Sequence, residues 1–133
     1  MSRRALREQL FKLLFRIEFN SLEEMQEQCG LFFEDIDNPL EGNDAEYVRK
    51  RFEGVMERLE EIDVLINEKA KGWSIDRMGK VDVAIIRLAV YEILFDNDVP
   101  TSVAINEAVE LAKRFGQDGS SSFVNGILAK FAD

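Results

Sequence analysis

Arg3, Arg4 and Arg7 open the chain, and with Lys12 and Arg16 they set five basic groups against one acid, Glu8, in residues 1–16. Guanidinium groups at that density neutralise phosphate and displace its condensed counterions, which is the electrostatic basis of nucleic-acid binding. Residues 17–68 carry sixteen acids and four bases, and residues 69–133 are near balance with eight bases and nine acids. The formal charge of −9 therefore describes a basic arm on an acidic body. Such an arm still grips phosphate, because charges beyond a Debye length of about 8 Å are largely screened at physiological salt. The competing reading of the same arginines is a solvated helix face, and charge alone does not separate the two.

Aromatic side chains are the second resource. Phe11, Phe15 and Phe19 recur at i, i+4, i+8 beside the basic face, and Phe115 and Phe123 flank residues 116–122. An exposed ring stacks on an unpaired base for about 1–3 kcal/mol, whereas the same spacing on a buried face is ordinary core. Other chemistry is scarce. The chain has no histidine and one cysteine, Cys29, which removes histidine-based catalysis, disulfide scaffolds and zinc sites with nitrogen or sulfur ligands. Asp35, Asp37, Glu41 and Asp44 lack the alternating order and central glycine of a calcium loop. Gly116-Gln117-Asp118-Gly119 has the GxxG form of an RNA clamp, but that clamp belongs to a fold with a sheet, and here it reads as a helix-helix turn. There is no P-loop or dinucleotide fingerprint. Neither a cofactor nor a metal is expected.

The elements that must position these residues are helical. Leu6, Leu10, Leu13, Leu14 and Ile17 form one stripe, predicting a helix from Arg3 to Phe19. Ser21-Leu22-Glu23-Glu24 has the form of a capping box for a second helix ending near Phe33. Residues 35–43 collect turn formers and a proline, and Asn43 or Asp44 starts a third helix reaching Ile62, with Asp63 capping a short fourth that ends by Gly72. Ser74 caps a brief turn, and Val81 to Phe95 is apolar nearly all round except for Asp82, Arg87 and Glu92, as in a buried central helix. After Pro100, Thr101 or Ser102 caps a helix with Ala104, Ala108, Leu111 and Phe115 inside, stopped at Gly116. A last helix carries Phe123, Ile127, Leu128 and Phe131, with Gly126 expected to permit close helix packing. No strand pattern competes. The fold class is all-α, with about seven helices in two small bundles, approximately 1–70 and 71–133, forming one compact domain.

At 133 residues, 46% apolar and 32% charged, the chain is too short for a multidomain enzyme. No apolar run approaches the roughly 18 residues a membrane helix needs. Arg7, Glu8 and Lys12 interrupt any signal-peptide core, so the chain reads as cytoplasmic.

One ordered string stands out: Trp73-Ser74-Ile75-Asp76-Arg77, Val81-Asp82, Ala84-Ile85-Ile86-Arg87-Leu88-Ala89-Val90-Tyr91-Glu92, Val99-Pro100, Val103-Ala104-Ile105-Asn106-Glu107-Ala108, Phe115-Gly116 and Phe123-Val124-Asn125-Gly126. With Arg3-Arg4-Ala5-Leu6-Arg7-Glu8 it closely resembles the NusB family, while residues 20–72 match only in helical character. The resemblance implies an all-helical transcription antitermination factor, not an enzyme. Such a factor binds boxA RNA with the small-subunit ribosomal protein NusE, within the RNA polymerase antitermination complex, and promotes processive transcription of ribosomal RNA operons. It further implies RNA contacts at Arg3, Arg4 and Arg7, at Phe15 (where the family often has tyrosine), at Asp82 and Arg87, and at Phe115, Asp118 and Phe123. Residues 119–122 are slightly longer than in some relatives.

In physical terms the three arginines neutralise phosphate, Phe15 and Phe123 offer stacking faces, and Asp82 accepts from a base amino group. Arg87 has an equal alternative in an internal salt bridge, Phe115 one in the core, and Asn106 and Asn125 ones in helix contact or capping. The main competing function is a protein-only acidic helical adaptor without specific RNA binding. A third, the recognition module of an RNA-modifying enzyme, would need a cofactor-binding sheet for which this chain has no room. Monomer and homodimer are both compatible with the sequence.

Overall fold

The apolar stripes become seven α-helices in the computed structural model, which describes residues 1–132. Among them there is no strand. Two compact units divide the chain, Met1–Gly54 and the residues from Val55 onward.

In the first unit, α1 (Arg3–Phe15) starts on Ser2, whose Oγ accepts from the Ala5 N–H at 3.1 Å. Leu6, Leu10, Phe11, Leu13 and Leu14 are buried, as their spacing requires. The α-helix stops four residues before the predicted end. From Arg16 to Phe19 the chain tightens into a 3₁₀ turn, the common way a helix end satisfies its last carbonyls. Arg16 anchors that turn by donating from Nη1 to the backbone oxygen and Oε1 of Gln28, both at 3.2 Å. The capping box forms in both directions. Glu24 N–H donates to Ser21 Oγ at 3.2 Å, and Ser21 N–H donates to Glu24 Oε1 at 2.7 Å. That backbone donor, helped by the serine hydroxyl, holds the Glu24 carboxyl below its ordinary range. Helix α2 (Met25–Glu34) follows. The following loop is tied back to α1 where Asn38 Nδ2 donates to Gln9 Oε1. Helix α3 (Gly42–Glu57) then runs into the second unit.

In the second unit the predicted boundary between the third and fourth helices moves. The chain breaks at Arg58, and α4 (Leu59–Lys69) already contains Asp63 in its middle. Asp63 is therefore not a cap. Its Oδ1 and Oδ2 accept from Nε and Nη2 of Arg87 at 2.8 and 2.9 Å. This bidentate pair and the buried Ile62 and Ile66 attach α4 to α5 (Lys80–Phe95). The division between units consequently falls at Gly54 and not near residue 70. Helix α5 is central within its unit. Val83 to Val90 are all buried, a run longer than two turns that leaves no solvent face, and α4, α6 (Thr101–Phe115) and α7 (Ser120–Ala129) pack on it. Ala104, Ala108 and Ala112 line the buried side of α6, where their small side chains let neighbouring helices approach.

Pro100, not a threonine or serine side chain, precedes α6. Gly116 ends it as expected, for a steric reason: a Cβ there would lie 2.5 Å from Ser120 Cβ and 2.7 Å from the Ala112 carbonyl oxygen. Gly119 enters α7 at φ +89°, a left-handed conformation that glycine adopts without a Cβ penalty. Gly126 corrects the sequence reading. It is exposed, and a Cβ there would meet open space, so it mediates no close packing.

Candidate nucleic-acid interface

Eight of the nine residues expected to contact RNA fall into two groups. In the first unit, Arg3 and Arg4 occupy the exposed first turn of α1. That turn contains no acidic residue, so two cations sit at the positive end of the helix dipole, an arrangement that works against helix stability. An arriving phosphate would meet both fields with the favourable sign. Arg7 departs from the expected solvated face. It is only 4% exposed, because its position one turn further along faces the same side as the buried stripe. Phe15 is half-buried, and Phe19 stands edge-on to it, with ring centroids 5.1 Å apart at 77° and 61% exposure.

In the second unit the fold brings four of the predicted residues to one place. Two adjoining clefts, each about 290 Å3, share Gly79, Asp82, Gln117 and Ser120. One reaches Phe115, and the other reaches Asp118 and Phe123. The start of α5 and the turn between α6 and α7 form the walls. Asp82 occupies the first turn of α5, where a carboxylate suits the helix dipole. Its Oδ1 is buried and has no hydrogen-bond partner. A carboxylate oxygen in that condition is costly unless something donates to it. Across the cleft, Ser120 is buried and its Oγ accepts from the Gln117 N–H at 3.0 Å, which rigidifies the turn.

Arg87 is not part of this group. At 6% exposure and engaged with Asp63, it takes the internal salt bridge that was its alternative. Asn106 and Asn125 are exposed, so neither is packed into a helix contact. Burial pushes the Cys29 thiol above its ordinary value, which disfavours the thiolate a nucleophile needs. Among the described residues no group of three or more metal-ligating side chains is assembled.

The sequence profile of the NusB family matches residues 4–133. The chain belongs to the NusB family. It is 52% identical over 132 residues to the transcription antitermination protein NusB of Agathobacter rectalis, covering 99% of this chain and all of the relative. Among solved structures, NusB of T. maritima superimposes with a TM-score of 0.88 at 39% identity, covering 99% of this chain and 91% of that one. A chain in a crystal structure of the antitermination factors NusB and NusE with double-stranded RNA gives 0.84 at 27% identity, covering 98% and 95%.

Within this NusB fold, the sequence reading missed two residues that line the same cleft, Trp73 and Arg77. Trp73 is 51% exposed and meets Phe123 edge to face, with centroids 5.6 Å apart at 72°. The available signal was its isolation. Trp73 follows Gly72 and belongs to none of the apolar stripes that account for the other large side chains.

Proposed function

We propose that this chain is a transcription antitermination factor that binds single-stranded boxA RNA together with the ribosomal protein NusE. It works within the RNA polymerase antitermination complex to favour processive transcription of ribosomal RNA operons. It acts in the cytoplasm, as a binding protein and not as an enzyme. The observation that carries this reading is the pair of adjoining clefts that Asp82 lines together with Phe115 in one and with Asp118 and Phe123 in the other. An unstacked base supplies an amino donor for a carboxylate and a π-face for aromatic rings, which matches this lining. Arg3 and Arg4 add phosphate attraction. The solved neighbour that contains NusE and RNA supports the two partner classes, and the acidic residues 17–68 suit a basic protein partner. Among the described residues no helix is long and apolar enough to cross a membrane.

The test is a titration of fluorescent boxA-like RNA and a scrambled control at two salt concentrations, with and without purified NusE. Sequence-selective binding that strengthens with NusE is expected. NusE binding without RNA selectivity under any condition would give precedence to a protein-only adaptor.

A further inference from the structure

An aspartate or asparagine followed by glycine is the pair whose backbone most readily attacks the preceding side chain, because glycine has no Cβ to obstruct ring closure. The chain holds two such pairs, Asp118-Gly119 and Asn125-Gly126. All four residues are exposed, but their backbones differ. Asn125 and Gly126 lie inside α7, where the Gly126 N–H belongs to the helical ladder and Asn125 is held in the right-handed conformation. Ring closure there must break a helix bond. Asp118 and Gly119 lie outside both helices, in the turn that joins α6 to α7. Gly119 has φ +89°, and a Cβ on it would meet open space. Its N–H, the attacking group, donates no hydrogen bond among the described residues, as its place ahead of the helical ladder allows.

We propose that Asp118-Gly119 is a site of spontaneous isoaspartate formation. The Gly119 nitrogen attacks Cγ of the protonated Asp118 carboxyl. The N–Cγ bond forms, the Cγ–OH bond breaks, and the hydroxyl leaves with the amide proton as water, closing a five-membered succinimide. Solvent water then opens the ring. Attack at Cγ restores aspartate, whereas attack at the main-chain carbonyl gives isoaspartate, with the backbone rerouted through Cβ and Cγ. Nothing is oxidised or reduced, and the composition of the chain is unchanged. The turn has little slack for the added methylene. Across these two residues the Ser120 N–H donates to the Gln117 backbone oxygen and the Gln117 N–H to Ser120 Oγ, both at 3.0 Å. Isoaspartate lengthens the bridged segment and moves its carboxylate to the α carbon, so it displaces the cleft lining that Asp118 and Ser120 supply. The site goes beyond the RNA-binding reading and its chemistry is independent of it; only the expected effect on RNA rests on that reading.

The full chain is incubated at physiological temperature and pH in heavy-oxygen water, both folded and in urea. Peptides are then mapped by mass spectrometry with electron-transfer fragmentation, which separates isoaspartate from aspartate. Every ring opening leaves one solvent oxygen in the product, so the label records events even where aspartate is restored. In the folded chain the expected result is isoaspartate at Asp118 and several-fold more label there than at Asn125. In urea the order should reverse, because an asparagine amide leaves more readily than a carboxyl hydroxyl and the helix no longer protects it. Asp118→Glu, which would need a six-membered ring, should remove the label at that position. A folded chain unlabelled at Asp118, labelled first at Asn125, or still labelled in Asp118→Glu would overturn the site. The isoaspartate form, separated by ion exchange, is then titrated with boxA-like RNA beside fresh protein. Several-fold weaker binding is expected. Equal affinity would overturn the effect on the cleft and leave the modification site standing, whereas failure of both forms to bind would overturn the RNA-binding reading itself.

Discussion

Arg87 and Asp63 illustrate how one side chain's meaning depends on its partner. A guanidinium in the middle of the most apolar helix is tolerable only if its donors are met, and Asp63 meets two of them in a planar fork. Removing one member leaves the other charge buried, whereas replacing both with apolar groups of similar volume is often close to neutral. Asp63→Ala should therefore destabilise the protein by about 3 kcal/mol, read from the urea midpoint. The double change Asp63→Leu with Arg87→Met should recover most of that loss. The double variant should also bind RNA as the parent does, because Arg87 faces α4 and not the cleft. A specific loss of RNA affinity in a folded double variant would return Arg87 to the interface. Arg7 carries a similar lesson, since its 4% exposure separates it from Arg3 and Arg4 although all three look alike in sequence.

At the scale of elements, the turn between α6 and α7 sets one wall of the Asp82 cleft. Its shape depends on the missing side chain at Gly116, where a Cβ would collide with Ser120 and with the Ala112 carbonyl oxygen. Backbone is one of the two obstacles, so a rotamer change cannot relieve the strain. Gly116→Ala should cost about 1–3 kcal/mol and displace the Ser120–Gln117 bond, lowering RNA affinity in material that remains folded. Gly126→Ala is its control. That position lies in α7 with open space around it, and alanine should stabilise the helix by about 0.5–1 kcal/mol without affecting RNA. Thermal unfolding of the two variants checks the pair, and the expected shifts have opposite signs. Much at this scale was legible beforehand. The capping box, the buried face of α1, the apolar girth of α5 and the stop at Gly116 follow from local chemistry within a few residues. The break at Arg58 was not legible, because α3 and α4 carry a nearly continuous apolar spacing and no glycine or proline marks the join.

For the whole molecule, the decisive feature is the uneven distribution of charge. Residues 17–68 repel phosphate, so attraction must come from a few exposed cations. Arg3 and Arg4 sit where the helix dipole disfavours them, a cost that the proposed phosphate contact would offset. Changing both to glutamate should raise stability by about 0.5–1 kcal/mol at low salt. The same change should weaken RNA binding and reduce the slope of log K against log salt by about 1.4, as for two lost phosphate contacts on a single strand. Denaturation and salt-dependent titration of the same variant check both signs, and an unchanged salt slope would remove these arginines from the phosphate contact.

The sequence by itself determined the all-α class, the buried face of most helices, the basic first turn and the membership that its C-terminal motifs suggested. These follow from a 3.6-residue period and from cap and turn chemistry, which act over a few neighbours. Tertiary structure alone decided that Arg87 meets Asp63, that Arg7 is buried, and that Trp73 meets Phe123 fifty residues away. It also decided that Asp82 keeps a carboxylate oxygen without a donor. Periodicity specifies which face of a helix is apolar, but not which neighbour that face meets. Burial and pairing of a charged or aromatic side chain are set by packing between distant elements.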